Sequence, residues 1–128
     1  MAGELQAQTN PRTTSGNLYF VLRSIVNGTV WNTASAALQA YATANIADYD
    51  ITPVTQQGTA SGYWVADMPA APAGRYTYDL FVRAGGSPAE TDTILCSGGV
   101  IDWSGTSVSE AACEIDTTTG LQKVTWLS

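Results

Sequence analysis

Acyl-transfer chemistry needs a nucleophile beside a base. Serines are plentiful in this sequence, but it has no histidine, and its one lysine, Lys123, lies close to the C-terminus. No residue stands ready to activate a hydroxyl, so an enzyme is not expected. Two carboxylates facing each other across a cleft can hydrolyse glycosides. Asp48, Asp50, Asp67, Asp79, Glu90, Asp92 and Asp102 supply many pairs. All fall in or near turns, or on exposed strand faces of a small domain, where solvated surface acids are the simpler reading. Calcium needs several oxygens close together. Asp48-x-Asp50 and Glu90-x-Asp92 are the close acidic pairs, and no EF-hand ladder surrounds them. Without imidazole there is no histidine-ligated metal site. The sequence calls for no cofactor and no metal.

Aromatic side chains are the remaining source of chemistry. The chain has four tryptophans, six tyrosines and two phenylalanines. Exposed Trp and Tyr faces stack on sugar rings, and the same side chains anchor protein interfaces. Trp31, Trp64 and Trp103 can equally fill a core. Adjacent Tyr63 and Trp64 must face opposite sides of a strand, so one of them leaves the central core. Leu5, Trp64 and Trp126 are the candidate interface residues.

Composition narrows the partners. The net charge is −6, from 11 acidic and 5 basic residues, and charged residues make up 12% of the chain. A domain this acidic, with five scattered cations, is not a nucleic-acid binder. So small a share of charge leaves the surface poorly guarded against contact. Either much of it sits against other subunits, or the chain is a secreted β-domain with Ser- and Thr-rich faces. Residues 1–16 carry Glu4 and Arg12 and no apolar run, so they do not read as a secretory signal. No apolar stretch is long enough to span a membrane, and no membrane partner is expected. Cys96 and Cys113 lack C-x-x-C spacing. One bridge between them would close a loop of about 17 residues and contribute ~3 kcal/mol. Two reduced thiols in a cytosol-assembled protein is the reading preferred here.

The elements that must position these residues are strands. At 128 residues the chain is one domain able to bury about two-thirds of its unfolded surface. Residues 1–16 have no periodicity and read as an extended N-terminal arm that a partner would order. Leu18–Val26 is apolar on both faces, which predicts a strand covered on both sides. Asn27-Gly28 signals a type I′ hairpin turn into a second strand, Thr29–Asn32. Thr33–Asn45 has alanines near helical spacing and suggests a short helix or an irregular crossover. Strands are expected around Tyr49–Thr52, ending at Pro53, and at Tyr63–Met68 and Arg75–Arg83. A further strand at Thr93–Trp103 should bulge at Gly98-Gly99. Ala73-Gly74-Arg75-Tyr76 puts a tyrosine just after a glycine corner, where its hydroxyl can bond back to the turn. Short strands between turn signals, with at most one short helix, predict a single antiparallel immunoglobulin-like β-sandwich over residues 17–106. Residues 107–128 form a tail with room for one more strand, Gln122–Leu127.

Several of these motifs together resemble small structural proteins of tailed phages and prophages. They are Leu18-Tyr19-Phe20-Val21, Asn27-Gly28-Thr29-Val30-Trp31-Asn32, Tyr49-Asp50-Ile51, Ser61-Gly62-Tyr63, Pro69 and Ala73-Gly74-Arg75-Tyr76. Ala84-Gly85-Gly86-Ser87-Pro88, Asp92-Thr93 and Asp102-Trp103-Ser104-Gly105 complete the set. The pattern is also similar to the immunoglobulin-like modules of phage baseplate, fibre and capsid-decoration proteins. The resemblance implies a non-enzymatic component of the virion, assembled in the host cytoplasm and partnered by capsid or tail subunits and by copies of itself. Capsid decoration is the preferred role, with a tail or baseplate adaptor beside it, and the terminal arm would clasp neighbours. A carbohydrate- or receptor-binding module is the competing reading.

Overall fold

The computed structural model describes residues 3–9, 17–59 and 61–108, together with the backbone alone of 113–115 and 122–124. It is an all-β sandwich of two antiparallel sheets. The strands are β1 (Leu5–Gln8), β2 (Leu18–Ser24), β3 (Val30–Asn32), β4 (Ala37–Gln39), β5 (Thr55–Gln56), β6 (Tyr63–Ala66), β7 (Gly74–Val82) and β8 (Thr93–Trp103). One sheet runs β4-β3-β2-β7-β8 and the other β1-β6-β5. A separate hairpin pairs β9 (Cys113–Ile115) with β10 (Gln122–Val124). Among the described residues no helix is long and apolar enough to cross a membrane.

Period-two alternation explains how the sheets face each other. Leu18, Phe20 and Leu22 of β2 and Tyr76 and Leu80 of β7 point between the sheets. There they meet Leu5, Trp64 and Ala66 of the smaller sheet and Trp31, Ile101 and Trp103. The other face of β2 is buried too: Tyr19 and Val21 form a second cluster with Val30 and Tyr49, against which Ile46 and Phe81 pack. The strand apolar on both faces is therefore covered on both faces. Its outer cover is the segment from Ala40 to Asp50, which contains a 3-10 helix at Thr43–Asp48.

Four expectations need correction. Residues 1–16 are not an arm throughout. Leu5–Gln8 is a strand paired along its length with β6, from Leu5 opposite Ala66 to Gln8 opposite Tyr63. Leu5 is completely buried, and the Gly3 amide donates to Asp67 Oδ1 at 2.9 Å. A burial of this size, about 1.5–3 kcal/mol for one leucine, joins the segment to its own domain. Leu5 is thus core and cannot anchor a neighbour.

The second correction concerns Asn27-Gly28. The loop links β2 to β3 as expected, but it is a four-residue connection, not a type I′ turn. The Ser24 amide donates to the Thr29 carbonyl at 2.8 Å and the Gly28 amide to the Ser24 carbonyl at 2.8 Å. Only Gly28, at φ 70°, is left-handed there. Asn27 instead receives the Thr29 hydroxyl on Oδ1 at 2.8 Å, a local side-chain turn.

The third concerns only one of the two alternatives for the Ala-rich segment: the irregular crossover forms, as turns, β4 and the 3-10 helix, and an α-helix does not. Asn32 Oδ1 accepts the Ser35 amide at 2.9 Å, and Ala36 sits at φ 53°, which an α-helix does not tolerate. Of the strand around Tyr49–Thr52, a single bridge between Ile51 and Phe20 forms.

Trp64 is the fourth. It is fully buried, and its indole N–H donates to Thr9 Oγ1 at 2.8 Å. It packs the core and offers nothing to a partner. Trp126 lies outside the described residues. Cys96 is a free, half-buried thiol.

Candidate functional site: an aromatic groove

On the outer face of the larger sheet, an open groove of about 240 Å³ runs between two walls. Strand register builds its floor. Tyr19 pairs with Phe81, Val21 with Asp79 and Arg23 with Thr77, so Tyr19, Val21, Arg23 and Phe81 project from one face. The Tyr19 and Phe81 rings stack at 5.4 Å. One wall comes from Tyr41, Ile46 and Tyr49, the other from Ala89 and Glu90.

Hydrogen bonds fix both walls. The Tyr49 hydroxyl donates to Gln39 Oε1 at 3.0 Å and receives the Ala42 amide at 3.0 Å. Asp92, buried at the base of the loop 84–92, accepts the Tyr19 hydroxyl and the amides of Ala89 (2.9 Å) and Ala84 (3.2 Å). Burial alone would raise the Asp92 carboxyl, but these three donors hold it below the usual carboxylate range. Burial, then the hydrogen bond to Asp92, pushes the Tyr19 phenol far above its ordinary value. Asp92 is therefore an ionised structural anchor that keeps Tyr19 protonated.

Across the top, the Tyr41 hydroxyl donates to Glu90 Oε2 at 2.7 Å, and Thr43 Oγ1 donates to the same oxygen at 3.1 Å. Arg23 lies over the Tyr41 ring at 5.4 Å. A second recess of about 340 Å³ adjoins through Tyr19, lined by Leu18, Asp50, Thr52, Pro53, Val54 and Arg83. Burial raises the Asp50 carboxyl, while Arg83 works against the rise.

Of the residues singled out in the sequence, Glu90 lines this groove and Asp92 anchors the loop that carries it; Leu5, Trp64, Tyr76, Asn27 and Gly28 do not reach it. Tyr76 sits in the core and donates its hydroxyl to the Pro72 carbonyl at 2.6 Å, the corner contact. Asn27 and Gly28 shape the β2–β3 loop. The remaining acids serve separate structural ends. Asp67 and Asp79 accept the amides of Gly3 and Gly98, and Asp102 pairs with Arg75 at 2.6 Å. No cluster of three metal-ligating side chains occurs among the described residues. The groove residues Arg23, Tyr41 and Glu90 come from three segments far apart in sequence. Their local signals are slight: Glu90 stands in the close acidic pair Glu90-x-Asp92, and Arg23 is the lone charge inside the apolar run Leu18–Val26.

A second surface feature lies at the neighbouring end of the same sheet. The Ile25 amide donates to the Arg75 carbonyl at 3.0 Å, so the β2–β3 loop continues the row of Arg75 and Asp102. Val26 at the loop tip is 81% exposed and Val100, two residues before Asp102, is 57% exposed. Ile25, at the start of that loop, is exposed as well; Val108, also exposed, is bridged to the core residue Trp103 and lies apart from them. Comparison with family models, with curated proteins and with solved structures finds no match to this chain.

Proposed function

We propose that this chain is a non-enzymatic assembly module of a tailed-phage virion, a capsid decoration protein in the first instance, with a tail or baseplate adaptor as the other placement. The virion setting is supported by the resemblance of the motifs across residues 17–106 to immunoglobulin-like phage modules. The observation that carries the assembly role is the exposure of the large aliphatic side chains Ile25, Val26 and Val100 around the Arg75–Asp102 pair of the larger sheet. Exposed large aliphatic side chains around a single ion pair, on a surface poor in charge, are read here as the interaction site. The docking partner is a capsid or tail subunit, and repetition over a symmetric particle multiplies a modest contact into firm attachment. With Leu5 in the core, attachment runs through this surface rather than through an N-terminal clasp.

The test is a Val26→Asp, Val100→Asp double variant. Both side chains are exposed, so the isolated protein should melt within about 1 kcal/mol of the parent. The parent chain should co-sediment with phage particles that lack it and the variant should not. Equal co-sedimentation of the two proteins would remove this surface from the attachment.

A further inference from the structure

Arg23 is a half-buried arginine with its donors unspent. Arg75 gives its donors to Asp102, and Arg83 gives its own to the Gly86 carbonyl and Asn17. Arg23 makes no hydrogen bond and no ion pair and has only the Tyr41 ring beside it. Among the described residues it is the one basic side chain in that condition. A guanidinium drawn partly out of water normally finds acceptors. Facing it in the same groove, Glu90 is held by Tyr41 and Thr43 through Oε2 alone, so Oε1 still has its full accepting capacity. The groove thus presents free donors on Arg23 and an oriented acceptor on Glu90, beside one aromatic wall and an aromatic floor. We propose that it binds a neutral saccharide, with ring carbons against Tyr41 and Phe81, the lining rings that are not buried, and hydroxyls bridging Arg23 and Glu90.

Charge selects this occupant. An anion suited to Arg23 would meet Glu90 and a chain of net charge −6. A cation suited to Glu90 would meet Arg23. Adjacent hydroxyls, each both donor and acceptor, satisfy the two together without burying an unpaired charge. A space of about 240 Å³ is below the usual range of roughly 300–1,000 Å³ for drug-sized ligands, and suits one sugar ring. The adjoining recess shares Tyr19 and carries Asp50, whose carboxylate accepts no hydrogen bond from another residue. It offers a place for a second ring, so the occupant is a disaccharide or the end of a longer chain.

The test titrates the full isolated chain with cellobiose, maltose, lactose and N,N′-diacetylchitobiose while its side-chain NMR signals are followed. Glucuronate and an Asp/Glu-rich peptide are run in parallel. At least one neutral disaccharide should give saturable shifts centred on Arg23 and Tyr41. Arg23→Met and Glu90→Gln should each weaken that binding about tenfold, the loss of one charged hydrogen bond, with the melting temperature unchanged. Tyr41→Phe, which keeps the ring but releases Glu90, should weaken it less. Four outcomes would overturn the proposal. They are no saturable shift with any neutral sugar, binding indifferent to both Arg23→Met and Glu90→Gln, tighter binding of glucuronate, and tighter binding of the acidic peptide. No particle takes part in this titration, so its result is independent of the assembly role.

Discussion

The Tyr19 hydroxyl donates to Asp92 Oδ2 at 2.5 Å inside the fold, across 73 residues of sequence. That bond ties the central strand β2 to the loop that carries Glu90, and so sets one wall of the groove. Tyr19→Phe removes the donor and leaves a buried carboxylate with two backbone amides. The expected cost is about 1.5–3 kcal/mol, the range for a hydrogen bond to a charged group. Chemical denaturation measures it, and a change under about 0.5 kcal/mol would contradict the anchoring role.

Asp92 and Asp50 should respond to acid in opposite ways. The folded state holds the Asp92 carboxyl below its unfolded value, so the unfolded chain binds the extra proton and stability falls as pH drops through the folded value. The stability gap between parent and Asp92→Asn is therefore largest near neutrality and closes in acid. Asp50 is raised by burial, so its charge opposes folding at neutral pH. Asp50→Asn should stabilise the protein there, and the gain should fade on acidification. Unfolding curves across the acidic range decide both signs.

Leu5 opposite Ala66 makes the N-terminal segment part of the sandwich. Leu5→Ala should cost about 2–5 kcal/mol, the range for truncating a fully buried leucine. Deleting residues 1–9 should lower the melting temperature further, because Trp64 also loses Thr9 as acceptor. An unchanged melting temperature after the deletion would return the segment to the status of a free arm.

Two glycines are required for different physical reasons. A Cβ at Gly28 would meet nothing within 4 Å, but φ is +70°. Gly28→Ala should therefore cost about 1–2 kcal/mol of pure backbone strain, and Gly28→Asn less. Gly99 pairs with Tyr78, and a Cβ there would lie 2.5 Å from Tyr78 Cζ. The ring cannot swing away freely, because its hydroxyl donates to the Gln6 carbonyl at 3.1 Å. Gly99→Ala should cost about 1–3 kcal/mol by overpacking. Much of that cost should vanish in a Tyr78→Ala background, which a double-mutant cycle measures.

Tyr76→Phe removes the hydroxyl that reaches the Pro72 carbonyl. The expected loss is ~1–3 kcal/mol. A melting shift no larger than that of the exposed control Ser87→Ala would show that the corner contact carries no stability.

The strands were legible where local pattern and tertiary demand agree. β7 alternates tyrosine and leucine against charge over nine residues, and β2 is apolar on both faces because both are covered. The bulge near Gly98 was legible from its glycines: Tyr78 pairs with Gly99 but Leu80 with Cys96, so β8 carries the extra residue. β1 was not legible. Four residues with one large side chain carry too little periodicity, and only the β6 edge makes them a strand. The Ala-rich segment was legible only as two alternatives, because alanine spacing suits a helix, while Asn32 and the positive φ at Ala36 impose the turn that makes it an irregular crossover. The groove was invisible for a related reason. Tyr41 sat inside that segment and Glu90 inside a polar loop, and only long-range register brings them to Arg23. Trp31, Trp64 and Trp103, which looked like the aromatic platform, are spent on the core.

The most direct measurement on the assembly role is made on the particles themselves. Tailed-phage particles produced by the strain that carries this gene would be purified, quantified by mass spectrometry and imaged by electron cryomicroscopy. This chain should be present in many copies per particle, with density for a small β-sandwich on the outside of the capsid or at the tail, its Val26 and Val100 side against the neighbouring subunit. Particles that contain none of it, or density in which that side faces solvent, would contradict the account.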